Sequence, residues 1–339
     1  VLNVLGISDT LASKADIPSE LSIRDFKSGI RLLNQKMGST FYHRYGASYW
    51  HCHRADLIEA LFTSSQKAGV QILFNEKTTS YEETTETCNV KTFSGKSFSA
   101  DFLVGADGIS SKIRTTLLSN SMVDFTGQIA WRGLVPTERL ETQPSEGVSV
   151  WVGPGKHFVS YRLRHASLMN FVAVEERDEW TEENWKLSGD VEKLRSAFEG
   201  WDDPVQDILQ GCDETYLWGL FDRPPPKTWH SARVILIGDA CHPILPFMAQ
   251  GAAMAIEDAY VLAATLKNNA SIVANFKLFQ QQRQKRIKRI YDISRRNAAL
   301  YHASGVKAVA RNILFAMSHM FPRTISYQLD SIYSYNVVA

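Results

Sequence analysis

The segment Val234–Pro243, which reads VILIGDACHP, decides the fold class of this chain. Four apolar residues of strand-forming type end at Gly238, where the missing side chain allows the backbone to turn sharply at the edge of a sheet. Asp239 then stands at the carboxyl end of that strand, where open α/β folds bind their ligands. A carboxylate there is suited to bind two hydroxyl groups of a sugar or a sugar alcohol. The segment therefore predicts an α/β domain with a ligand crevice at Asp239.

A helix is predicted immediately downstream, over 249–266. Its first turn carries free backbone N–H groups and the positive end of the helix dipole, both suited to an electron-rich ligand edge. Gly251 permits close approach of a ligand, and the small side chains of Ala252 and Ala253 leave the surface flat. The alternative interpretation is a strand, a turn and a core helix that bind nothing, and the local pattern leaves it open.

The same arrangement occurs a second time in Asp101–Arg114, which reads DFLVGADGISSKIR. An apolar strand again meets an aspartate between glycines, and a helix follows. Asp107 could serve only as the N-cap of that helix. Because the chain contains two such units, we expect Asp107 and Asp239 to lie at neighbouring strand ends and to share one crevice.

The rest of the chain divides into three parts. Alternating aromatic and β-branched residues dominate between about 123 and 220 and predict a mostly antiparallel sheet, and the run Pro224-Pro225-Pro226 ends that region. We expect a discontinuous α/β domain over 1–120 and 225–300, an inserted β-rich domain over 121–224, and a C-terminal helical segment over 301–339.

Composition excludes several classes of protein. The 339 residues carry 37 Lys+Arg against 36 Asp+Glu, with 44% hydrophobic and 22% charged residues, which is typical of an ordinary globular protein. No apolar run approaches the roughly 20 residues of a membrane-spanning helix, so no membrane span is expected. The four cysteines form no CxxC pair and predict neither a zinc site nor a disulfide scaffold, which favours a cytoplasmic location.

Two further clusters each have a less specific explanation. His51 and His53 have the alternation of metal ligands, but no third ligand follows at useful spacing, so no metal is expected and Arg54 remains as a ligand for a phosphate or a ring edge. The basic residues of 283–296 could bind nucleic acid. A solvated outer face on a helix that packs through Ile287, Ile290 and Ile293 explains them more simply, so no nucleic-acid partner is expected.

These motifs resemble those of the single-component FAD-dependent aromatic hydroxylases, the para-hydroxybenzoate-hydroxylase fold group, and in particular the salicylate and 6-hydroxynicotinate monooxygenases. The resemblance implies a Rossmann-like FAD-binding domain interrupted by a β-rich substrate domain. It implies contacts to FAD by the following residues: Arg54, Asp107 near the pyrophosphate, Asp239 on the ribityl or ribose hydroxyls, Pro246 beside the reactive carbon, and Gly251, Ala252 and Ala253 at the pyrimidine edge.

The resemblance also implies the chemistry. Reduced flavin, formed with NADH or NADPH, traps O2 as a C4a-hydroperoxide that hydroxylates a small aromatic substrate of the salicylate, hydroxybenzoate or hydroxynicotinate type. His157 and Tyr161 correspond to substrate-pocket side chains, and His157 is a candidate base for a phenol proton. Arg132, in the sequence Trp131-Arg132-Gly133, is suited to a substrate carboxylate. The alternative for His157 is a histidine at the surface or at a sheet edge. The alternative for Arg132 is an arginine stacked on Trp131 at a sheet surface.

The chain departs from that family at two places. It contains no Gly-x-Gly-x-x-Gly motif, since Gly153-Pro-Gly155 lacks the third glycine and lies in the inserted domain, so we expect a βαβ unit upstream of Val1. Phe247 stands where the 6-hydroxynicotinate enzymes carry a polar residue. A flavin-dependent epoxidase or halogenase and a truncated non-catalytic scaffold are the alternative functions, and either a monomer or a homodimer is expected.

Overall fold

The computed structural model describes residues 1–118, 124–178, 187–320 and 329–338. Three sheets and the helices packed on them make up this part of the chain. Within it, every helix is too short or too polar to cross a membrane.

Thirteen strands are described. They are β1 Glu20–Asp25, β2 Arg31–Lys36, β3 Thr78–Glu83, β4 Cys88–Thr92, β5 Ser97–Ala100, β6 Leu103–Gly105, β7 Asp124–Pro136, β8 Val148–Gly153, β9 Lys156–Leu163, β10 Leu168–Glu176, β11 Leu187–Gly189, β12 Thr215–Asp222 and β13 Val234–Leu236. The helices are α1 Ser8–Ala12, α2 Ser39–Tyr45, α3 Arg54–Lys67, α4 Lys112–Leu118, α5 Val191–Ala197, α6 Asp203–Gln210, α7 Gly251–Leu266, α8 Ile272–Tyr301 and α9 Gly305–Met320.

The largest sheet has eight strands in the order β11-β12-β7-β10-β9-β8-β1-β2. Its pairings are antiparallel except one: β1 runs parallel to β8, with Leu21 opposite Val148. The hairpin β1–β2 comes from the N-terminal part of the chain, which the sequence assigns to the α/β domain. The domain boundaries remain a prediction, but this hairpin is hydrogen-bonded into the sheet of the inserted region.

The second sheet is the small parallel pair β6–β13, with Gly105 opposite Leu236. Helices α7 and α8 pack on it, and their apolar faces meet β13 in one buried cluster that includes Val234, Phe276 and Ile287. The two strand–Gly–Asp–helix units of the sequence therefore form adjacent parallel strands, as expected.

A three-stranded antiparallel meander, β3-β4-β5, stands apart from the other sheets. The apolar run Val70–Phe74 precedes it and has the composition of a strand, but the structure shows none there. Val70, Leu73 and Phe74 are instead exposed, because no neighbouring strand among the described residues pairs with them.

Helix α8 joins the two large regions of the molecule. Its middle turns bury Ile287, Ile290 and Ile293 against the parallel pair, as the sequence predicts, and its last turns reach the eight-stranded sheet through Ala298 and Tyr301. Helix α9 confirms a helical C-terminal segment. The side chains along one of its faces are exposed: Val306, Val309, Ile313, Leu314 and Met317.

Candidate active site

The carboxyl ends of β6 and β13 form the edge that carries both predicted aspartates. Beyond the paired residues, the backbone N–H of Ile237 donates to the carbonyl of Gly105 at 3.0 Å, so the strands remain adjacent up to their turns. Gly238 then takes φ +55°, a left-handed conformation that favours glycine, and Asp239 follows directly. Asp107 and Asp239 thus leave the same edge of the same sheet.

Asp239 lies close enough to Arg54 for their charges to interact. Its side chain reaches solvent, yet protein atoms crowd the carboxyl, and this desolvation raises its pKa above the usual value while His242 and Arg54 lower it. Arg54 is the first residue of α3. Asp56 holds that end of the helix in place by accepting two 3.2 Å hydrogen bonds from Arg164, in the turn after β9.

Asp107 caps a helix in this structure. Its carboxylate accepts hydrogen bonds from the backbone N–H groups of Lys112 at 2.8 Å and Ile113 at 3.2 Å, and from the hydroxyl of Ser111. These bonds satisfy the first turn of α4, which is the simpler of the two sequence interpretations. The carboxylate remains exposed at the strand edge, so its position near a pyrophosphate stays a prediction.

Buried Asp258 fixes the turn that carries Asp239. It accepts hydrogen bonds from the N–H of Gly238 at 2.9 Å, from His242 Nε2 at 2.6 Å and from Arg283 Nε at 2.7 Å. Asp258 and Arg283 are fully buried. Arg283 belongs to the basic stretch expected to face solvent, and that expectation is wrong for it, because the guanidinium pairs with Asp258 and Glu257 inside the protein.

The N-terminus of α7 presents an open surface. No side chain of the described residues caps it, and a Cβ placed on Gly251 would meet no atom within 4 Å. The turn Pro246–Met248 and Ala249, whose φ is +50°, lead into this helix. Free N–H groups, the positive dipole end and an unfilled space therefore coincide at the residues predicted to face a flavin.

Three predicted side chains lie on one face of the eight-stranded sheet. His157, Val159 and Tyr161 alternate along β9 and share that face, and Arg132 lies two strands away, opposite Val172 of the intervening β10. Tyr161 and Arg54 both perturb the pKa of the Arg132 guanidinium, in opposite directions, while burial lowers it most. Arg54 is therefore close enough to interact electrostatically with both Asp239 and Arg132.

His157 is fully enclosed. Its ring contacts Phe247 edge-on at a centroid distance of 4.8 Å and Tyr301 at 5.3 Å, and its Nδ1 lies 2.7 Å from Nε2 of His302. Burial lowers the pKa of His157 well below its usual value, and neighbouring His302 lowers it further. His157 is therefore a neutral imidazole at physiological pH, which a base requires, and not a sheet-edge residue.

Arg132 has an unsatisfied guanidinium. Its Nε is buried without a hydrogen-bond partner among the described residues, and its guanidinium lies 4.4 Å from the ring centre of Trp218. The alternative of an arginine stacked on Trp131 is wrong, because neighbouring residues of a strand point to opposite faces. The Trp131 indole instead donates to Glu175 at 3.3 Å within the apolar cluster of the other face.

The sequence missed two histidines of this site. His51 packs against Tyr161 at 4.4 Å between ring centres, and burial lowers its pKa to about 4. Nothing in the sequence indicated that His302 lies in the site, because its contact partner His157 is 145 positions away. His53 caps α3 by accepting from the N–H of Ala55, and no cluster of metal ligands occurs in the described ranges.

Comparison with known proteins identifies the family of this chain. The model of the FAD binding domain family matches residues 1–296. The chain is 33% identical to 3-amino-4-hydroxybenzoate 2-monooxygenase PtnB3 of Streptomyces platensis over 303 residues, 89% of this chain and 75% of that protein. It is 32% identical to 6-hydroxynicotinate 3-monooxygenase of Bordetella bronchiseptica over 305 residues, 88% of this chain and 79% of that protein.

A solved structure matches the whole architecture. Klebsiella pneumoniae HpxO, in its complex with FAD and uric acid, superposes with a TM-score of 0.84 at 25% identity and covers 98% of this chain and 85% of its own. The fold group and the cofactor expected from the motifs are thereby confirmed. This chain belongs to the FAD binding domain family and is an FAD-dependent monooxygenase.

Proposed function

We propose that this enzyme hydroxylates a small aromatic ring that carries a hydroxyl and a carboxylate group, with NADH or NADPH as reductant and O2 as the oxygen source. One observation carries the proposal: a neutral, buried His157 and an unsatisfied Arg132 share the sheet face that meets the Pro246–Met248 turn. The two relatives named above act on an aminohydroxybenzoate and a hydroxynicotinate, which supports this substrate class.

The residues at the crevice fit FAD. We assign Asp239 to hydroxyl groups of the ribityl chain or a ribose, and Arg54 to the nearby polar part of the cofactor. Gly251, Ala252 and Ala253 accommodate the electron-rich pyrimidine edge, where the helix has free N–H donors and open space. Pro246 lines the same turn, and Asp107 stands near the pyrophosphate. When bound, FAD supplies electron transfer from the nicotinamide and activation of O2.

His157 is the catalytic base of this proposal. A phenolate is a far better nucleophile than the phenol, so removal of the hydroxyl proton activates the ring for attack on oxygen. A buried neutral imidazole can accept that proton, while Phe247, Tyr301 and Tyr161 shape an apolar surface around it. An apolar pocket also excludes water, which protects a reactive oxygen species from unproductive decay.

Arg132 binds the substrate carboxylate in this proposal. A buried guanidinium with free donors has a strong electrostatic preference for an anion, and carboxylates accept two parallel hydrogen bonds from it. Tyr161 lies on the same face and perturbs the pKa of Arg132, so its hydroxyl is placed to contact the same ligand. Carboxylate at Arg132 and hydroxyl at His157 together orient the ring.

The test is a binding and turnover screen. The purified enzyme should show a flavin absorbance band, and salicylate, hydroxybenzoates or hydroxypyridine carboxylates should perturb that band and stimulate NAD(P)H oxidation. Asp239→Ala should lose bound flavin, because it removes a charged hydrogen-bond acceptor worth about 1.5–3 kcal/mol. A flavin-loaded enzyme that no member of the panel binds or stimulates would contradict the proposed substrate class.

A further inference from the structure

A row of three side chains links buried His157 to the protein surface. Nδ1 of His157 lies 2.7 Å from Nε2 of His302, and Nδ1 of His302 lies 3.0 Å from Oε1 of Glu176. His157 is 1% exposed and the His302 side chain 2%, whereas the Glu176 side chain is 57% exposed. The row therefore begins inside the protein and ends in water.

The turn at Gly155 holds the two outer members in place. Its N–H donates to the carbonyl of His302 at 3.1 Å, and its carbonyl accepts from the N–H of Glu176 at 2.9 Å. Gly155 has φ +65°, a left-handed conformation that favours glycine. Backbone hydrogen bonds through Gly155 thus hold the main chains of His302 and Glu176 beside each other, which keeps their side chains within reach.

The hydrogen bonds define where the protons lie. An ionised Glu176 only accepts, so Nδ1 of His302 carries a proton and donates to it. Nε2 of His302 is then an acceptor, and Nδ1 of His157 must donate to it. This assignment leaves Nε2 of His157 without a proton, as a base. Burial lowers the pKa of both histidines, so both are neutral in this arrangement.

Other polar groups around the row do not compete for the same role. Burial raises the pKa of Tyr301, on α8, to about 12. Nε2 of the uncharged Gln128 amide of β7 lies 3.3 Å from Nδ1 of His302, and a proton on Nδ1 requires that amide to turn its Oε1, which has no partner among the described residues, towards the ring. Lys156 pairs with Glu175 at 3.4 Å. Arg311 of α9 donates to the carbonyls of Leu300 and Tyr301. Among the described residues, Glu176 is the carboxylate that contacts His302.

We propose that Glu176 and His302 form a proton relay through which His157 passes the hydroxyl proton of the bound aromatic substrate to solvent. This inference rests on the proposed function. The substrate O–H proton moves to Nε2 of His157, the Nδ1 proton of His157 moves to Nε2 of His302, and the Nδ1 proton of His302 moves to Glu176, which releases it to water. One proton leaves and no electrons move.

The relay also resets itself. After one passage each imidazole carries its proton on the opposite nitrogen, and a proton that returns along the same path when the product regains its hydroxyl restores the initial tautomers. Glu176 and His302 touch no substrate. They are positioning residues that act through His157, and their effect is expected on proton transfer and not on ring binding.

The first experiment measures proton release without turnover. FAD-loaded oxidised enzyme is mixed with salicylate, and then with 6-hydroxynicotinate, in weakly buffered solution containing a pH-indicator dye and no nicotinamide. Wild type should release a proton on binding. Glu176→Gln and His302→Gln should slow release at least about tenfold at unchanged ligand affinity, since general acid–base groups contribute about that much or more.

A matched control separates the relay from surface charge. Asp178→Asn removes one negative charge two residues from Glu176, at another exposed position, and should release protons at the wild-type rate. Added acetate should restore fast release to Glu176→Gln by acting as an external base. Glu176→Asp should retain part of the rate. Wild-type release rates in both Glu176→Gln and His302→Gln would overturn the relay.

The second experiment decides the relay even if neither compound binds. Nitrogen-15 NMR of the histidines in the substrate-free holoenzyme should show Nδ1–H on both His157 and His302. Glu176→Gln should lower the pKa of His302, because Glu176 raises it, and Asp178→Asn should not. A proton on Nε2 of His302 in wild type, or a His302 signal unaffected by Glu176→Gln, would refute the relay. Failure of both compounds to bind a flavin-loaded enzyme would instead count against the proposed substrate class.

Discussion

At the scale of single residues, the site depends on histidines that the protein keeps uncharged. His157 and His51 are both buried, and burial lowers the pKa of each. Among the described residues, neither has a carboxylate partner that would favour the charged form. A neutral imidazole can accept a proton, so this burial is compatible with catalysis, but it also makes the enzyme sensitive to acid.

His157→Gln should decrease kcat by about 100-fold or more, because a positioned base contributes about that factor. The decrease should shrink at high pH, where the free substrate is already deprotonated. His165→Gln, at an exposed histidine in the turn after β9, is the control and should change little. The measurement is steady-state NAD(P)H oxidation coupled to product formation between pH 6 and 10. A variant with undiminished kcat at neutral pH would exclude His157 as the base.

His51 should contribute to acid denaturation. Its pKa is about 4 in the folded protein and near 6.5 when unfolded, so the unfolded chain binds the proton first and stability falls as pH decreases from 6.5 towards 4. At pH 5 the loss attributable to this residue should be about 2 kcal/mol. Urea unfolding at pH 7 and pH 5 should therefore show a smaller difference for His51→Phe than for wild type. Exposed His43→Gln should keep the wild-type difference.

At the scale of elements, the amphipathic helices were the most predictable part of the fold. Helix α7 spans Gly251–Leu266, close to the predicted 249–266, because apolar spacing and flanking residues are local signals. Strand composition was less decisive. Val70–Phe74 has a strand sequence without a strand, because a strand requires a partner that the local sequence cannot supply.

A substitution at the N-terminus of α7 should weaken FAD binding without changing the stability of the FAD-free protein. Gly251→Val should leave the melting temperature of the FAD-free protein nearly unchanged, because a Cβ there meets no atom of the described residues within 4 Å beyond its own helix turn and chain neighbours. The added side chain occupies the space assigned to the flavin edge, so FAD affinity should fall by at least about tenfold, equivalent to 1.4 kcal/mol. Flavin fluorescence titration measures the affinity. Ala253→Gly is the small-residue control and should bind FAD.

The contact between α7, α8 and the Gly238 turn gives a prediction about stability. Asp258→Ala leaves the buried Arg283 with Glu257 as its remaining carboxylate partner and should cost about 3 kcal/mol in unfolding free energy, the lower end of the range for breaking a buried ion pair. It should also release the Gly238 N–H and so weaken FAD binding through Asp239. Chemical denaturation measures the first effect. Asp292→Asn, at an exposed ion pair on the same helix α8, should change stability little.

At the scale of the whole molecule, the N-terminal region and the inserted β-rich region share a sheet, which the domain prediction does not include. Strand β1 pairs in parallel with β8, more than a hundred residues later, and buries Ile23 against Val148 and Val150. Local sequence cannot reveal such a partner. The family resemblance implied His157 and Tyr161 on β9, but neither the resemblance nor the local sequence placed His302 and His51 beside them, because these two reach that face from distant segments.

This pairing predicts that the inserted region does not fold by itself. A fragment of residues 121–224 leaves the edge of β8 and its valines without β1, so it should aggregate or show no cooperative unfolding. Appending residues 16–38 through a flexible linker should improve solubility and the β-sheet signal in circular dichroism. A soluble 121–224 fragment with a cooperative transition would show that the hairpin is dispensable.

Helix α8 fixes the distance between the parallel strand pair and the eight-stranded sheet, because it packs on both. This continuous helix of 30 residues is about 45 Å long. It carries Arg283 near the turn at Gly238 and ends at Tyr301, next to His302. Deleting a single residue between Ile293 and Tyr301 would shift His302 by about 1.5 Å along the axis and rotate it by about 100°. The alignment of the proposed proton relay with the proposed flavin site is thus set by the number of residues in this helix, which changes in surface loops do not alter.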